Sequence, residues 1–157
     1  MLSLSDPHWA QFRANYTDGV QVARLLMRVE SGEPLDAWHE ELFQELCHQY
    51  TVSEAAFPAA PHLARLAAAF EEYRLELLIL LGTCHASAEP ARVAQLSADI
   101  AEGWHASAKE AVPLIADLLA RPQVADVELR YLMSALAAVH GYPALASAIE
   151  RLDAELE

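Results

Sequence analysis

Apolar side chains recur every three to four positions along most of the chain. The pattern is clear in residues 36–49, whose apolar positions lie one helical turn apart while glutamates occupy the opposite side. The apolar positions of this segment are Trp38, Leu42, Phe43, Leu46 and Cys47, and the polar positions are Glu40, Glu41, Glu45 and His48. This period predicts a surface helix with one buried face.

Two segments near the C-terminal end repeat the pattern. The apolar positions of the first are Val124, Val127, Tyr131, Ala135, Leu136 and Val139. Those of the second are Leu145, Ile149, Leu152 and Leu156, with Glu150, Arg151, Asp153 and Glu155 on its other face. We expect two amphipathic helices here, the last of them one-sided, as the end of a stack of helices should be.

Residues 73–81 differ because apolar side chains surround nearly the whole helical circumference. This pattern predicts a helix at the centre of the protein. Its apolar run, residues 77–81, is far shorter than the ~20 residues that cross a bilayer, so we interpret it as a buried helix of the core.

Short breaks rich in proline, glycine and polar residues separate the periodic segments, and they leave helices of roughly 10 to 18 residues. The breaks are residues 17–19, 31–34, 50–51, 82–83, 87–90, 121–122 and 140–143. Helix starts are expected at Asp6 before Pro7, at Asp36, and at Ser87 or Glu89 before Pro90. The glycines expected just beyond helix ends are Gly32, Gly82 and Gly141.

Composition supports one all-helical domain. The chain has 157 residues, of which 54% are hydrophobic, which suffices for one substantial core. Much of this content is alanine, the strongest helix former, while β-branched and aromatic residues are few. We predict a single domain over residues 1–157, with residues 1–17 as an N-terminal helical extension.

The formal charge of −13 bears on possible partners. Nucleic-acid binding needs clustered basic side chains, and this chain has one lysine, Lys109, and nine scattered arginines. The charge serves solubility and would also attract a basic protein. We therefore expect no nucleic-acid partner.

The N-terminus and the cysteines indicate the compartment of the protein. The first residues lack the basic start and apolar stretch of a secretion signal. Cys47 and Cys84, without a secretory context, fit a reducing compartment in which both stay thiols. These features predict a cytoplasmic protein.

Three segments share a local pattern of proline, any residue, an apolar residue and alanine. They begin at Pro61, Pro113 and Pro143, which lie about 52 and 30 residues apart and average about 41, within the ~40–47 residues of HEAT or armadillo units. In residues 38–67, a helix ending at Gln49, a turn at Thr51 and a second helix follow one another.

In these features the chain resembles the HEAT-like (armadillo-type) α-helical repeat proteins of bacteria. The resemblance covers roughly half of the chain, residues 38–67 and 126–152, whereas residues 71–121 match only in helix length and apolar content. It implies an α-solenoid of about four antiparallel helix pairs, and an irregular helical bundle is the alternative. It brings no catalytic residues and no cofactor, because the repeat is a scaffold.

A possible metal site rests on two Glu-x-x-His motifs. Glu45 and His48 form one and Glu102 and His105 the other, a spacing that binds metal in di-iron helical bundles. The helical periodicity places these residues on polar faces rather than toward a bundle core. The two Cys-His dipeptides diverge by about 100° on a helix and chelate zinc poorly, so Cys47 is interpreted as a small buried hydrophobe.

The leading functional hypothesis is a non-enzymatic protein-interaction module whose acidic face receives a basic protein, for example as an immunity or inhibitor protein. The candidate interaction residues are Trp38, His62, Arg65, Arg74 and Trp104. A helical metalloenzyme that uses the Glu-x-x-His motifs is the alternative. A third hypothesis, a HEAT-like DNA glycosylase, ranks last because it requires a basic concave surface.

Overall fold

The computed structural model describes residues 1–122 and 125–152, and this part of the chain is mainly helical. The helices are α1 (Gly19–Glu30), α2 (His39–Leu46), α3 (Ala56–Ala69), α4 (Arg74–Ser87), α5 (Pro90–Val93), α6 (Ala98–Leu119), α7 (Asp126–Val139) and α8 (Pro143–Glu150). Short 3₁₀ helices span Pro7–Gln11, Leu35–Ala37 and Glu71–Tyr73, and two short strands, β1 (Cys47–His48) and β2 (Thr51–Val52), pair antiparallel. The predicted all-α class is confirmed.

The longer helices pack in two layers. In one layer α3 packs against both α1 and α6, and in the other α4 packs against both α2 and α7. Contacts between α1 and α2, α3 and α4, and α6 and α7 join the layers, and α8 covers α7 and α4. Among the described residues, the longer helices thus form three contacting pairs, α1 with α2, α3 with α4 and α6 with α7, and α8 follows them. The HEAT-like solenoid of about four pairs stays a prediction.

The two middle helices carry the core. Residues 55–64, which include most of α3, are all buried. In α4 the side chains of Leu77, Leu78, Leu80 and Leu81 are at most 1% exposed, so the prediction of a central helix at residues 73–81 is confirmed. Small alanine side chains let the neighbours of α3 approach it closely, which explains why this helix is as central as α4.

The three prolines of the shared pattern do not occupy equivalent positions. Pro61 lies inside α3 and Pro113 inside α6, whereas Pro143 is at the start of α8. Proline fits the first turn of a helix, but inside a helix it removes a backbone hydrogen bond. At Pro61 the ring packs on α6 beside Gly103, so this proline serves helix contact rather than a repeat boundary.

Most of the predicted helix boundaries are confirmed. The Asp18 side chain accepts a hydrogen bond from the Gln21 N–H at 3.1 Å at the start of α1. Gly32 and Gly141 follow helix ends with positive φ values of 75° and 84°. The predicted end at Gly82 is wrong, because α4 continues to Ser87 and Gly82 lies buried against Ala135 of α7.

The segment predicted as one helix over residues 36–49 is shorter in the structure. Helix α2 ends at Leu46, and β1 and β2 then form a hairpin whose turn residues, Gln49 and Tyr50, have φ values of 46° and 62°. Asp36 does not cap α2, since it lies inside the 3₁₀ helix Leu35–Ala37. Hydrophobic spacing could not separate α2 from the hairpin because Cys47 continues the buried face.

The predicted buried faces of the last two helices are wrong in part. Val127, Tyr131, Leu145 and Leu152 are exposed. The buried side chains are mostly small ones, namely Leu132, Ser134, Ala135, Ala137 and Ala138 of α7 and Ala146 of α8. Helix faces lined with alanine can approach each other more closely than faces lined with larger side chains. These faces therefore turn toward the core in α7 and α8. The predicted positions Val124, Asp153, Glu155 and Leu156 lie outside the described residues.

The predicted helical extension over residues 1–17 contains one 3₁₀ helix, Pro7–Gln11, and is otherwise turns and extended chain. Its Trp9 side chain is 1% exposed and belongs to the same core cluster as α1, α3, α4 and α6. The N-terminal segment therefore packs on the helices of this chain. Within the described ranges, no helix is both long and apolar enough to span a membrane.

The contact between Gly82 and Ala135 generates a prediction. A Cβ at Gly82 would overlap Ala135, so Gly82→Ala should lower the free energy of unfolding by about 1–3 kcal/mol through overpacking. Gly103→Ala is the matched control, because its Cβ would lie 3.4 Å from Pro61 and the higher helix propensity of alanine offsets the contact. Urea unfolding of both variants measures the difference, and equal effects would contradict this packing.

Candidate functional site

The four candidate metal ligands are not brought together. Glu45, predicted on a polar face, is buried, and its carboxylate accepts hydrogen bonds from the backbone N–H groups of Tyr16 and Thr17 at 3.0 and 3.1 Å. His48 hydrogen-bonds the Gln44 side chain. Within the described residues, no group of three or more His, Cys, Asp or Glu side chains is placed to hold a metal ion.

Trp38 and Trp104 are core side chains. Trp38 is 1% exposed, and its indole N–H donates to the Glu33 carbonyl at 3.0 Å. Trp104 is 3% exposed, and its ring contacts the ring of Phe57 edge-on and stacks on the ring of His85. Because both side chains are buried, they do not lie on the protein surface that a partner would contact first.

His85 is a buried histidine held by stacking. Its ring stacks on that of Trp104 with 3.8 Å between centroids and 27° between the ring planes, and Nε2 is 3.3 Å from the Ser107 hydroxyl. Burial lowers the pKa of His85 from 6.5 to about 3, and repulsion from His105 acts in the same direction. The imidazole is therefore neutral at physiological pH and serves packing.

The two cysteines are buried thiols. Burial raises the pKa of Cys47, against a smaller opposing effect of a hydrogen bond with Ser87. Burial also raises the pKa of Cys84 well above its ordinary value, and the nearby Cys47 adds to this shift. Both groups stay protonated near neutral pH, which makes them poor nucleophiles and agrees with the interpretation of Cys47 as a small buried hydrophobe.

Arg74 connects helices. Its Nε donates to the Ala67 carbonyl at 2.9 Å, and its Nη1 lies 3.4 Å from the Asp117 carboxylate of α6. Asp117 also pairs with Arg121 at 2.8 Å. Arg74 is thus occupied by contacts that join α3, α4 and α6.

His62 and Arg65 lie on the side of α3 that the N-terminal residues cover. We call residues 1–6 the strap. The Nε2–H of His62, a residue 2% exposed, donates to the Leu2 carbonyl at 2.8 Å. The Trp9 indole N–H donates to the Ser3 carbonyl, also at 2.8 Å. These two buried donors hold the strap across α3.

A groove lies over α3 between α1 and α6, and the strap divides it. On the α6 side is a cavity of about 790 Å³, and on the α1 side one of about 530 Å³. Met1, Leu2, Ser3 and Arg65 line both cavities. The two cavities are therefore halves of one feature, which we call the α3 groove.

One face of α6 forms the acidic wall of this groove. The wall residues are Asp99, Ile100, Glu102, Gly103, Ala106 and Glu110. At a rise of ~1.5 Å per residue, the three carboxylates extend over about 16 Å of helix. None of them forms an ion pair with another described residue, whereas Arg65 is paired with Glu30 at 2.8 Å. The groove therefore presents negative charge beside the apolar side chains of Phe12, Pro61 and Ile100.

In the structure, three of the residues named as candidates from the sequence line this groove: His62 and Arg65, named for interaction, and Glu102, named as a metal ligand. The sequence interpretation missed the wall residues Asp99 and Glu110 and the whole strap. Two signals were present in the sequence. Asp99, Glu102 and Glu110 lie on one side of a helix, and Leu2 and Leu4 are apolar residues of the N-terminal segment that can pack on a core.

Comparisons of the chain with protein-family models, with curated proteins and with solved structures found no significant match.

The buried His85 generates a pH prediction. Its folded-state pKa is depressed, so between about pH 6.5 and 3 the unfolded chain binds the proton more readily and stability falls as pH falls. His85→Phe keeps a ring against Trp104 and cannot titrate. We expect the difference in Tm between pH 7 and pH 4.5 to be smaller for His85→Phe than for the wild type. An identical pH dependence in the two proteins would show that His85 is not held neutral by burial.

Proposed function

We propose that this chain is a non-enzymatic protein-binding module whose α3 groove receives a basic segment of a partner protein. The observation that carries the proposal is the acidic wall of α6, where Asp99, Glu102 and Glu110 line one cavity without a cationic partner among the described residues. Unpaired carboxylates beside apolar side chains suit a peptide that carries arginine or lysine.

The net charge of the whole protein also supports a basic partner. With a net charge of −13, it attracts basic molecules over a distance set by the ionic strength. The titratable side chains with large shifts, His85 and Cys84, are buried in packing positions rather than in a cleft. The structure thus offers a surface for recognition, and the metalloenzyme alternative gains no observation in its favour.

The proposal includes a HEAT-like scaffold and a cytoplasmic location. Stacked helix pairs create an extended surface whose side chains vary without disturbing the core, and the two-layer packing supports this form. The two buried cysteines, both free thiols, fit a reducing compartment. An immunity or inhibitor protein that occupies the active site of a basic toxin is one specific form of this function.

Neutralising the acidic wall tests the proposal. The variant Glu102→Gln/Glu110→Gln should bind a fluorescein-labelled nona-arginine peptide about two- to thirtyfold more weakly than the wild type, since each exposed ion pair contributes ~0.2–1 kcal/mol. Fluorescence anisotropy at several salt concentrations measures the affinity, which should fall as ionic strength rises.

The control is Glu72→Gln/Glu89→Gln, which removes the same charge at exposed positions outside the α3 groove. Its affinity for the peptide should stay within about twofold of wild type, because distant charges are screened beyond ~8 Å at physiological salt. If both double variants weaken binding equally, general acidity explains the interaction and the groove does not. If the wild type does not bind the peptide at low salt, the proposal is wrong.

A further inference from the structure

The large apolar side chains that the described chain exposes are concentrated near its C-terminal end. Of the 11 exposed side chains of this kind, seven belong to residues 127–152. They are Val127, Leu129, Tyr131, Met133, Tyr142, Leu145 and Leu152. Single exposed apolar side chains are normal on a protein surface, whereas a concentration of them marks a surface that another molecule covers.

The outer side of α8 has the most regular apolar pattern of this region. Leu145, Ala148 and Leu152, at positions i, i+3 and i+7, are all exposed, and Ala144 is exposed beside them. In a helix this spacing forms one continuous stripe, which we call the α8 face. The side chain that α8 buries is the small one of Ala146. Helix α8 thus turns an alanine toward α7 and its leucines toward solvent.

The charged side chains next to the α8 face already have hydrogen-bond partners within the chain. The Glu150 carboxylate accepts a hydrogen bond from the Ser134 hydroxyl of α7 at 2.8 Å. The Arg151 Nε–H donates to the Ser147 carbonyl, one turn earlier, at 3.0 Å. Contact of another molecule with the α8 face would therefore be mainly apolar.

The distribution of charge favours a second copy of the chain as the molecule that covers the α8 face. Residues 1–122 carry 17 acidic and 8 basic side chains, whereas residues 125–152 carry three and two. The acidic residues at 153, 155 and 157 lie outside the described residues. Two copies repel each other across most of their surfaces and least where the local charge is close to zero. A strongly basic partner would instead be attracted to the acidic wall of α6.

A two-fold contact also fits the spacing of the stripe. When two α8 helices lie antiparallel with the axis near Ala148, Leu145 of each copy faces Leu152 of the other, and the alanines let the helices approach closely. Leu145 and Leu152 are 53% and 54% exposed, so each has about half of its surface left to bury. Together with the exposed parts of Tyr131 and Tyr142, the α8 face offers roughly 500 Å² per copy. A symmetric contact would bury about 1,000 Å², the size of weak complexes.

We propose that the α8 face is a self-association surface through which two copies of the chain form a weak, reversible, two-fold dimer. This inference does not rest on the proposed function, because the cavities of the α3 groove share no lining residue with the α8 face. Each dimer would carry two acidic grooves.

Sedimentation velocity over a range of protein concentrations tests the inference. We expect the wild type to change from monomer to dimer with a Kd of roughly 10–100 µM, as suits a contact of this size. Leu145→Asp/Leu152→Asp places four carboxylates in the contact and should weaken the dimer at least about tenfold. Leu145→Gln/Leu152→Gln removes the apolar surface without adding charge. It should weaken the dimer in the same direction, and it serves if the aspartate variant does not fold.

The matched control is Tyr16→Asp/Tyr50→Asp, which adds the same charge at exposed apolar side chains far along the chain from α8. The Kd of its dimer should stay within about twofold of wild type, because distant charges are screened beyond ~8 Å at physiological salt.

Ionic strength gives a second readout. Raising the NaCl concentration from about 0.05 to 0.5 M should tighten the dimer, because salt screens the repulsion between two acidic copies and leaves an apolar contact intact. This response is opposite in sign to that expected for a basic peptide in the α3 groove.

Three results would overturn the inference. The first is a wild type that stays monomeric at about 500 µM, well above the expected Kd. The second is a dimer that the leucine variants leave intact, or that the tyrosine control weakens to the same extent. The third is a dimer that dissociates as salt is added, since charge rather than apolar contact would then hold it. Peptide binding in the α3 groove is measured separately, so its failure would leave these results unchanged.

Discussion

The structure depends on the burial of residues 56–64, the larger part of α3. Alanine and proline dominate this helix, and their small or rigid side chains let α1, α4 and α6 approach it closely. Interiors are packed as densely as organic crystals, so a larger side chain at these positions would push the neighbouring helices apart. The contacts of α1 and α6 with α3 set the distance between α1 and α6. They therefore also set the width of the groove above α3.

The candidate site is a consequence of the same arrangement. His62 and Arg65 are the polar side chains on the one side of α3 that no helix covers, and the strap lies there instead. The Pro61 ring beside Gly103 fixes α6 at the edge of the groove and so presents its acidic face. Helix α3 is both the floor of the groove and the helix on which the core depends. The recognition surface therefore depends on the same packing as the core.

Helical periodicity was sufficient to predict the all-α class, the helix breaks at Gly32 and Gly141, and the central position of α4. It failed where tertiary contacts override local preference. Gly82 was expected to end a helix, but the close approach of Ala135 requires a glycine inside α4. The orientation of α7 and α8 was misjudged because Leu132 and mostly small side chains, rather than Val127, Tyr131 and Leu145, face the core.

The site was less predictable than the fold. Glu45 is a polar residue of an amphipathic helix, yet it is buried and accepts hydrogen bonds from the backbone of residues 16 and 17, which are distant in sequence. The groove requires α1, α3, α6 and the strap together, and no single-helix pattern contains that information. His62 and Arg65 were candidates for interaction from the sequence, but their relation to the strap became visible only from the packing.

Amide hydrogen exchange in the native state tests most directly the central role of α3. Protection reports the free energy of local opening, which approaches that of global unfolding only in the most central elements. The account predicts that amides of α3 and α4 exchange most slowly, while those of the strap and α8 exchange much faster. Exchange of α3 at the rate of α8 would contradict the claim that the protein is built around this helix.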